Sequence, residues 1–190
     1  MKIQRSELKE MSYQDFGELV NIVTEKIQKY AQDNELHFHL IVPILRSGAF
    51  TGLHIASKLK ITNILPAQYK YSYTPTVTID KKFDFPKLQY TIPQNANILI
   101  VDTNTVHKRI ATKVIQDVQE LYPKATLYFA SASLDQSVKS LENVKTIFYG
   151  VLSNEARLLS LEEANALSIT NDINIFPWEN IEEEWIAINA

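Results

Sequence analysis

Two short stretches of the chain carry residues able to hold an anion. In "IVPILRSGAFTG" an apolar run ends at Arg46, followed by Ser47 and Gly48. In "NILIVDTNTVHKR" a second apolar run ends at Asp102, followed by Thr103, Thr105 and the basic triplet His107, Lys108 and Arg109. Backbone amides at a strand-to-helix turn converge on an anion, the helix dipole adds to them, and a guanidinium grips two oxygens at once. Arg46 to Gly48 offers all of these, with one flexible glycine. The second turn has no glycine, and a residue with a Cβ held in the left-handed conformation costs about 1–2 kcal/mol. Its basic triplet opens a helix, where the dipole disfavours cations unless an anion is present. Two readings of the triplet stay open: a side-chain grip on a phosphate, or a solvated charged turn.

Other chemistry is narrowed by what the chain lacks. Without cysteine there is no thiolate nucleophile, disulfide or sulfur-ligated metal. His37, His39 and His54 show no helix-face spacing with an acid partner, so they read as structural, and no site built from protein ligands alone is assigned to a metal. A formal charge of -3 exerts no global pull toward nucleic acid. The N-terminal "MKIQRSELKEMSYQDF" has scattered charges, and no later window reaches bilayer-spanning length. A cytoplasmic location with no membrane partner is the expectation.

Composition, 45% hydrophobic and 22% charged over 190 residues, fits one folded globular domain. Apolar residues at three- and four-residue steps, from Phe16 to Tyr30, predict a helix over Ser12 to Gln32 with Ser12 as its cap. "FHLIVPIL" (Phe38 to Leu45) reads as a strand buried on both faces, and Phe50 to Leu59 as the next helix. A strand over Asn63 to Tyr73 leads into a flap hairpin, about 74–90, with "IDKKFDF" at its tip and Asp80 to Phe83 poised to close. Then come the strand "NILIVD", a helix from about Arg109 to Leu121, and the strands "ATLYFASAS" and "VKTIFYG". Strands alternating with helices predict a doubly wound, mostly parallel α/β sheet flanked by helices. Residues 1–150 form this core. Residues 151–190, with the short helix "SLEEANALS" and both tryptophans, form a small C-terminal hood of the same domain. Ligands of such sheets sit beyond the carboxyl strand ends, where both turns point.

At these turns the chain resembles the type I phosphoribosyltransferases, and within them the bacterial and archaeal xanthine-guanine type. "LIVPILRSGAFTGLHIASKLKI" is similar to the family's pyrophosphate loop with its flanking strand and helix. "NILIVDTNTVHKRIATKVIQDVQELYPKA" is in register with its ribose-phosphate motif, and "INIFPWEN" is similar to its purine-recognition segment. The resemblance covers most of the chain.

It implies an enzyme that exchanges the pyrophosphate of phosphoribosyl pyrophosphate for a purine-type base, in nucleotide salvage, as a homodimer. Magnesium would be bound through the substrate. Arg46, Ser47 and Gly48 would meet pyrophosphate; Asp102 and Thr103 would stand at the ribose; Thr105, His107, Lys108 and Arg109 would surround the 5′-phosphate. Ile173, Phe176, Trp178 and Glu179 would line the base pocket. The motif departs from the family's where Thr103 replaces a second acid, where His107 to Ile110 replace a glycine-containing cradle, and where Ile173 replaces a stacking aromatic. An oxocarbenium-like state that loses one preorganised charge typically loses roughly 10²–10³ in rate. The alternative is a catalytically impaired regulatory protein on the same fold that binds a nucleotide or phosphate.

Overall fold

The computed structural model describes residues 3–72 and 76–189. After a short 3-10 turn come β1 (Leu8–Glu10) and α1 (Tyr13–Asp33), whose first turn is closed by reciprocal hydrogen bonds between Ser12 and Asp15. The core follows as β2 (Leu40–Leu45), α2 (Gly48–Leu59), β3 (Ala67–Ser72), β4 (Thr78–Lys81), β5 (Asn97–Thr105), α3 (Lys108–Leu121), β6 (Thr126–Asp135) and β7 (Val144–Ser153). The chain ends with α4 (Leu161–Ala166), β8 (Ile173–Ile175) and α5 (Ile181–Asn189).

Six strands form one sheet in the order β4-β3-β2-β5-β6-β7, with every pair parallel except β3 and β4. Alternation along the central strands buries both faces. Val42, Ile100 and Phe129 pack under Val114, Ile115 and Val118 of α3, while Ile41, Leu99 and Tyr128 pack under Val23 and Ile27 of α1 and Ile55 of α2. The sheet is therefore doubly wound, as the run of apolar segments predicted. Pro43 is tolerated in a central strand because its missing N–H faces the β3 side. There Ile41 already bonds Asn63, and the β2–β3 ladder begins only at Ile44. The Cβ of an alanine at Gly52 would lie 2.9 Å from Pro43 Cβ, so this glycine lets α2 sit close on β2.

From β2 the chain winds to β3 on one side, and from β5 to β6 on the other. The crevice at the carboxyl ends of β2 and β5 is the topological switch point.

Three expectations are corrected. β5 does not end at Asp102 but runs to Thr105, because Asp102, Asn104 and Thr105 continue the ladder against Ser131, Ser133 and Leu134 of β6. The turn before α3 shrinks to Val106 and His107. "DKKF" is not a hairpin tip: Asp80 and Lys81 belong to β4 and pair with Lys70 and Tyr69. The connection of β3 to β4 passes through 73–77, and Tyr73, Thr74 and Pro75 lie outside the described residues. Residues 82–96 form no second arm. β7 continues past Gly150 to Ser153.

The hood draws on both ends of the chain. β8 pairs in parallel with β1, Leu8 against Ile173 and Glu10 against Ile175. α5 is fastened to the N-terminal segment by the Arg5–Glu182 ion pair and by Asn189 Oδ1, which accepts the Ile3 amide at 2.9 Å. No helix of the described residues is long and apolar enough to cross a membrane.

Candidate functional site

The peptide joining Leu45 to Arg46 is cis, and α2 starts two residues later. Gly48 is buried against β5: a Cβ there would lie 2.7 Å from the Val101 carbonyl and 3.2 Å from Asp102 Cα. Only glycine allows this approach, which sets the Arg46 turn beside the end of β5. The Arg46 side chain is exposed and has no carboxylate partner among the described residues.

Asp102 is half-buried at the same end of the sheet. Burial pushes its carboxyl up to about 7, against the opposing pull of the Thr103 amide, 2.8 Å away, and the Thr105 hydroxyl. Among the described residues no cation is placed to hold it ionised, unlike a carboxylate that serves only an ion pair. Thr103, expected at the ribose, is instead fully buried: its hydroxyl lies 2.8 Å from the Ser47 carbonyl and 2.7 Å from Thr51 Oγ1. Strand alternation turns it away from Asp102. Thr105, expected at the 5′-phosphate, is likewise inside, with its hydroxyl 3.0 Å from Ser131 Oγ.

His107 is the extended N-cap of α3, no side chain caps the helix, and its first turn holds no acid. His107, Lys108 and Arg109 are exposed, and together they line a cleft of about 530 Å³. The opposite walls are Tyr71 and Val77 of the hairpin and Ser137 and Val138 beyond β6. The hairpin is pinned to α3 beneath this cleft. Asp117 accepts from Tyr69 (2.6 Å) and pairs with Lys113 (2.8 Å) and Lys81 (3.2 Å). Burial alone would raise the Asp117 carboxyl, but those three donors hold it below the usual range; the Tyr69 hydroxyl is pushed up by burial and by that bond. Arg46 and the hood aromatics lie outside this cleft lining. A larger groove, about 670 Å³, runs along β7 with Val138, Leu141, Ile147 and Tyr149 on its walls. It adjoins the basic cleft at Val138 but is mainly apolar, so the basic cleft is the better candidate for a phosphorylated ligand.

In the hood, Ile173, expected at the base, is buried against Leu8 and Ile175. Phe176 is buried with Met11, Phe16 and Val20. Trp178 is half-buried and stacks on Phe50 of α2, centroids 4.3 Å apart, and on Phe176 at 5.4 Å. Glu179 closes its own turn by accepting the Phe176 amide at 2.8 Å, and burial raises its carboxyl.

Sequence reasoning missed the acids at the next two strand ends. Asp135, fully buried, accepts the Ser137 and Ala156 amides at 2.8 Å each. Glu155 accepts side-chain amides of Asn104 and Asn174, both at 3.1 Å, and burial raises its carboxyl. The rule that picked out Arg46 and Asp102, a polar residue just past a buried strand, finds both once β6 and β7 are given their full length.

No protein-family model and no curated protein matches the chain by sequence. Solved structures match its fold. A purine phosphoribosyltransferase of Pyrococcus horikoshii superposes with a TM-score of 0.64 at 13% identity, over 92% of this chain and 95% of that one. The xanthine-guanine-hypoxanthine phosphoribosyltransferase of Helicobacter pylori gives 0.59 at 13% identity, over 94% and 97%. The chain has the type I phosphoribosyltransferase fold. A hypothetical protein of Neisseria gonorrhoeae solved with bound ppGpp shares it, with a TM-score of 0.63 at 14% identity over 96% of both chains.

The Arg46 turn follows β2, Asp102 lies on β5, and α3 opens without a glycine. Among the described residues no three acids or histidines gather into a metal group. One carboxylate, Asp102, suits a magnesium ion that keeps most of its waters and rides on ligand phosphates.

Proposed function

We propose that the protein is a phosphoribosyltransferase-like enzyme that takes phosphoribosyl pyrophosphate and a purine-type base in the switch-point crevice. The observation that carries this reading is Asp102, a half-buried carboxylate on β5 beside the Arg46 turn, with no cationic partner among the described residues. Arg46 and the amides at the start of α2 would receive pyrophosphate. Lys108 and Arg109 would grip the 5′-phosphate by side chain, replacing the amide cradle. In the transfer, the bond from ribose C1 to the pyrophosphate oxygen breaks with its electron pair leaving on pyrophosphate, a bond from C1 to a ring nitrogen of the base forms, and the ring N–H proton passes to the departing pyrophosphate or to water. Ionised Asp102 opposes the positive charge that builds on the ribose. Magnesium bound with the pyrophosphate would supply further neutralisation of its charge. On the base side Trp178 and Glu179 remain the candidates, the Trp178 ring contributing one wall.

A second reading, binding without turnover, has one observation in its favour: buried Thr103 brings no second charge to the ribose. The like-folded N. gonorrhoeae protein has ppGpp bound, so ppGpp belongs in the ligand panel.

Calorimetric titration with phosphoribosyl pyrophosphate and magnesium is expected to show binding that weakens at least about tenfold in Arg46→Ala, the loss of one charge-assisted contact. Ribose 5-phosphate, which lacks the pyrophosphate, should bind both forms alike. Equal affinity of both proteins for phosphoribosyl pyrophosphate would remove Arg46 from the site.

A further inference from the structure

The four residues after β7 each reach a different part of the molecule. Asn154 is locked to Leu159 through both its side-chain amide and carbonyl, and donates to Asn171 Oδ1 at 2.8 Å. Glu155 spans Asn104 at the end of β5 and Asn174 on β8. The Ala156 amide is held by Asp135 at the end of β6, and Arg157 pairs with Glu7 beside β1 at 2.8 Å. Glu155 stands at the centre of this knot with its backbone fixed on both sides. Oε2 accepts the Asn104 side-chain amide, and Oε1 accepts the Asn174 side-chain amide at 3.1 Å and its backbone amide at 3.5 Å. Asn104 Oδ1 is buried with no partner among the described residues, so the orientation of that amide rests on Glu155 alone.

A buried carboxylate is a poor adhesive compared with apolar side chains of the same size. What two fixed acceptor oxygens add is direction: they require hydrogen-bond donors from two sides, at one separation. Asn104 lies on β5 two residues beyond Asp102, on the same face of the strand. Asn174 lies in the hood two residues before Phe176 and four before Trp178.

We propose that Glu155 is a positioning residue: it latches the hood to the end of β5 and keeps the base-side wall in register with the phosphate side of the crevice. The ligand part of this proposal rests on the function proposed above; the latch itself does not.

The test compares the full-length protein with Glu155→Gln, which turns one of the two acceptors into a donor facing an asparagine amide. Hydrogen exchange should quicken about tenfold or more in residues 3–11 and 170–189 and stay unchanged in β5 and β6. A purine nucleoside 5′-monophosphate, which spans both walls, should bind about tenfold more weakly, while inorganic pyrophosphate binds as before. Adding Asn174→Asp to Glu155→Gln exchanges carboxylate and amide, and should bring hood exchange back to within about threefold of the parent. If Glu155→Gln fails to fold, Asn104→Ala, which removes a single donor, is read by the same exchange pattern. Exchange that is unchanged, that quickens equally throughout the chain, or that is not restored by the swap would overturn the latch. If the parent binds no nucleotide, the function proposed above fails, and the exchange pattern still decides the latch.

Discussion

Asp102→Asn is expected to make the protein more stable at pH 8 and a much poorer catalyst of transfer. An aspartate ionises near 3.8 when unfolded, while burial moves Asp102 up to about 7 in the fold. The folded state therefore holds the proton more tightly. The stability this group contributes is fully present below pH 3.8 and is lost as pH rises to 7. Above that, the ionised carboxylate is a cost of about 2 kcal/mol, scaled from 1.36 kcal/mol per pKa unit and reduced because the side chain keeps some contact with water. Asparagine preserves the carbonyl that accepts the Thr103 amide and removes the cost. At pH 8 the melting temperature should rise by about 5 °C, and at pH 3.5 the two proteins should melt together. Transfer should fall by roughly 10²–10³, as it does when one preorganised charge is lost. In the parent protein, turnover should climb with pH through 7 as the carboxylate ionises. A gain in stability coupled to loss of activity marks a residue kept for function. Melting curves at the two pH values check the first half; an Asp102→Asn protein that melts lower at pH 8 would show that the carboxylate is structural.

Lys108→Glu with Arg109→Glu should separate ligand binding from folding in the other direction. Both side chains are exposed at the first turn of α3, where the dipole favours acids. Their reversal should raise stability slightly, by about 0.5–1 kcal/mol. Two charge-assisted contacts to a phosphate, each worth about 1.5–3 kcal/mol, become repulsions, so ribose 5-phosphate affinity should fall at least about 100-fold. Because the cleft is open to water, the parent's affinity should itself weaken as salt rises. The check is calorimetry at low and high ionic strength. Unchanged affinity would mean that Lys108 and Arg109 form a solvated turn and that the phosphate sits elsewhere.

Much of this architecture is legible in the residues. The unbroken apolar runs around Val42, Ile100 and Phe129 require cover on both faces, and the helix-period segments between them supply it, so a doubly wound sheet follows from patterning. The chemistry at the strand ends was harder to read, because a threonine near a turn looks the same whether it points in or out. Thr103 and Thr105 were expected at the ligand on the strength of register with a known motif. The ladder to β6 carried the strand past them and turned both hydroxyls inward, to Ser47, Thr51 and Ser131. Ile173 was placed by the same register, yet its partner Leu8 lies 165 residues away, a pairing that no local pattern announces. Asp80 and Lys81 resembled a hairpin tip because they are polar, whereas Lys81 is held by Asp117 across a helix that had not been connected to it. Register nominated these residues; burial separates those that face solvent from Thr103, Thr105 and Ile173, which do not.

Product formation decides whether the protein carries out transfer. The purified protein, with magnesium, phosphoribosyl pyrophosphate and each purine base in turn, is assayed for nucleoside 5′-monophosphate and pyrophosphate. Both should appear in equal amounts with at least one base, at a rate that rises through pH 7 and falls by roughly 10²–10³ in Asp102→Asn. Binding of phosphoribosyl pyrophosphate with no nucleotide formed from any base would contradict transfer and leave a ligand-binding protein on the transferase fold.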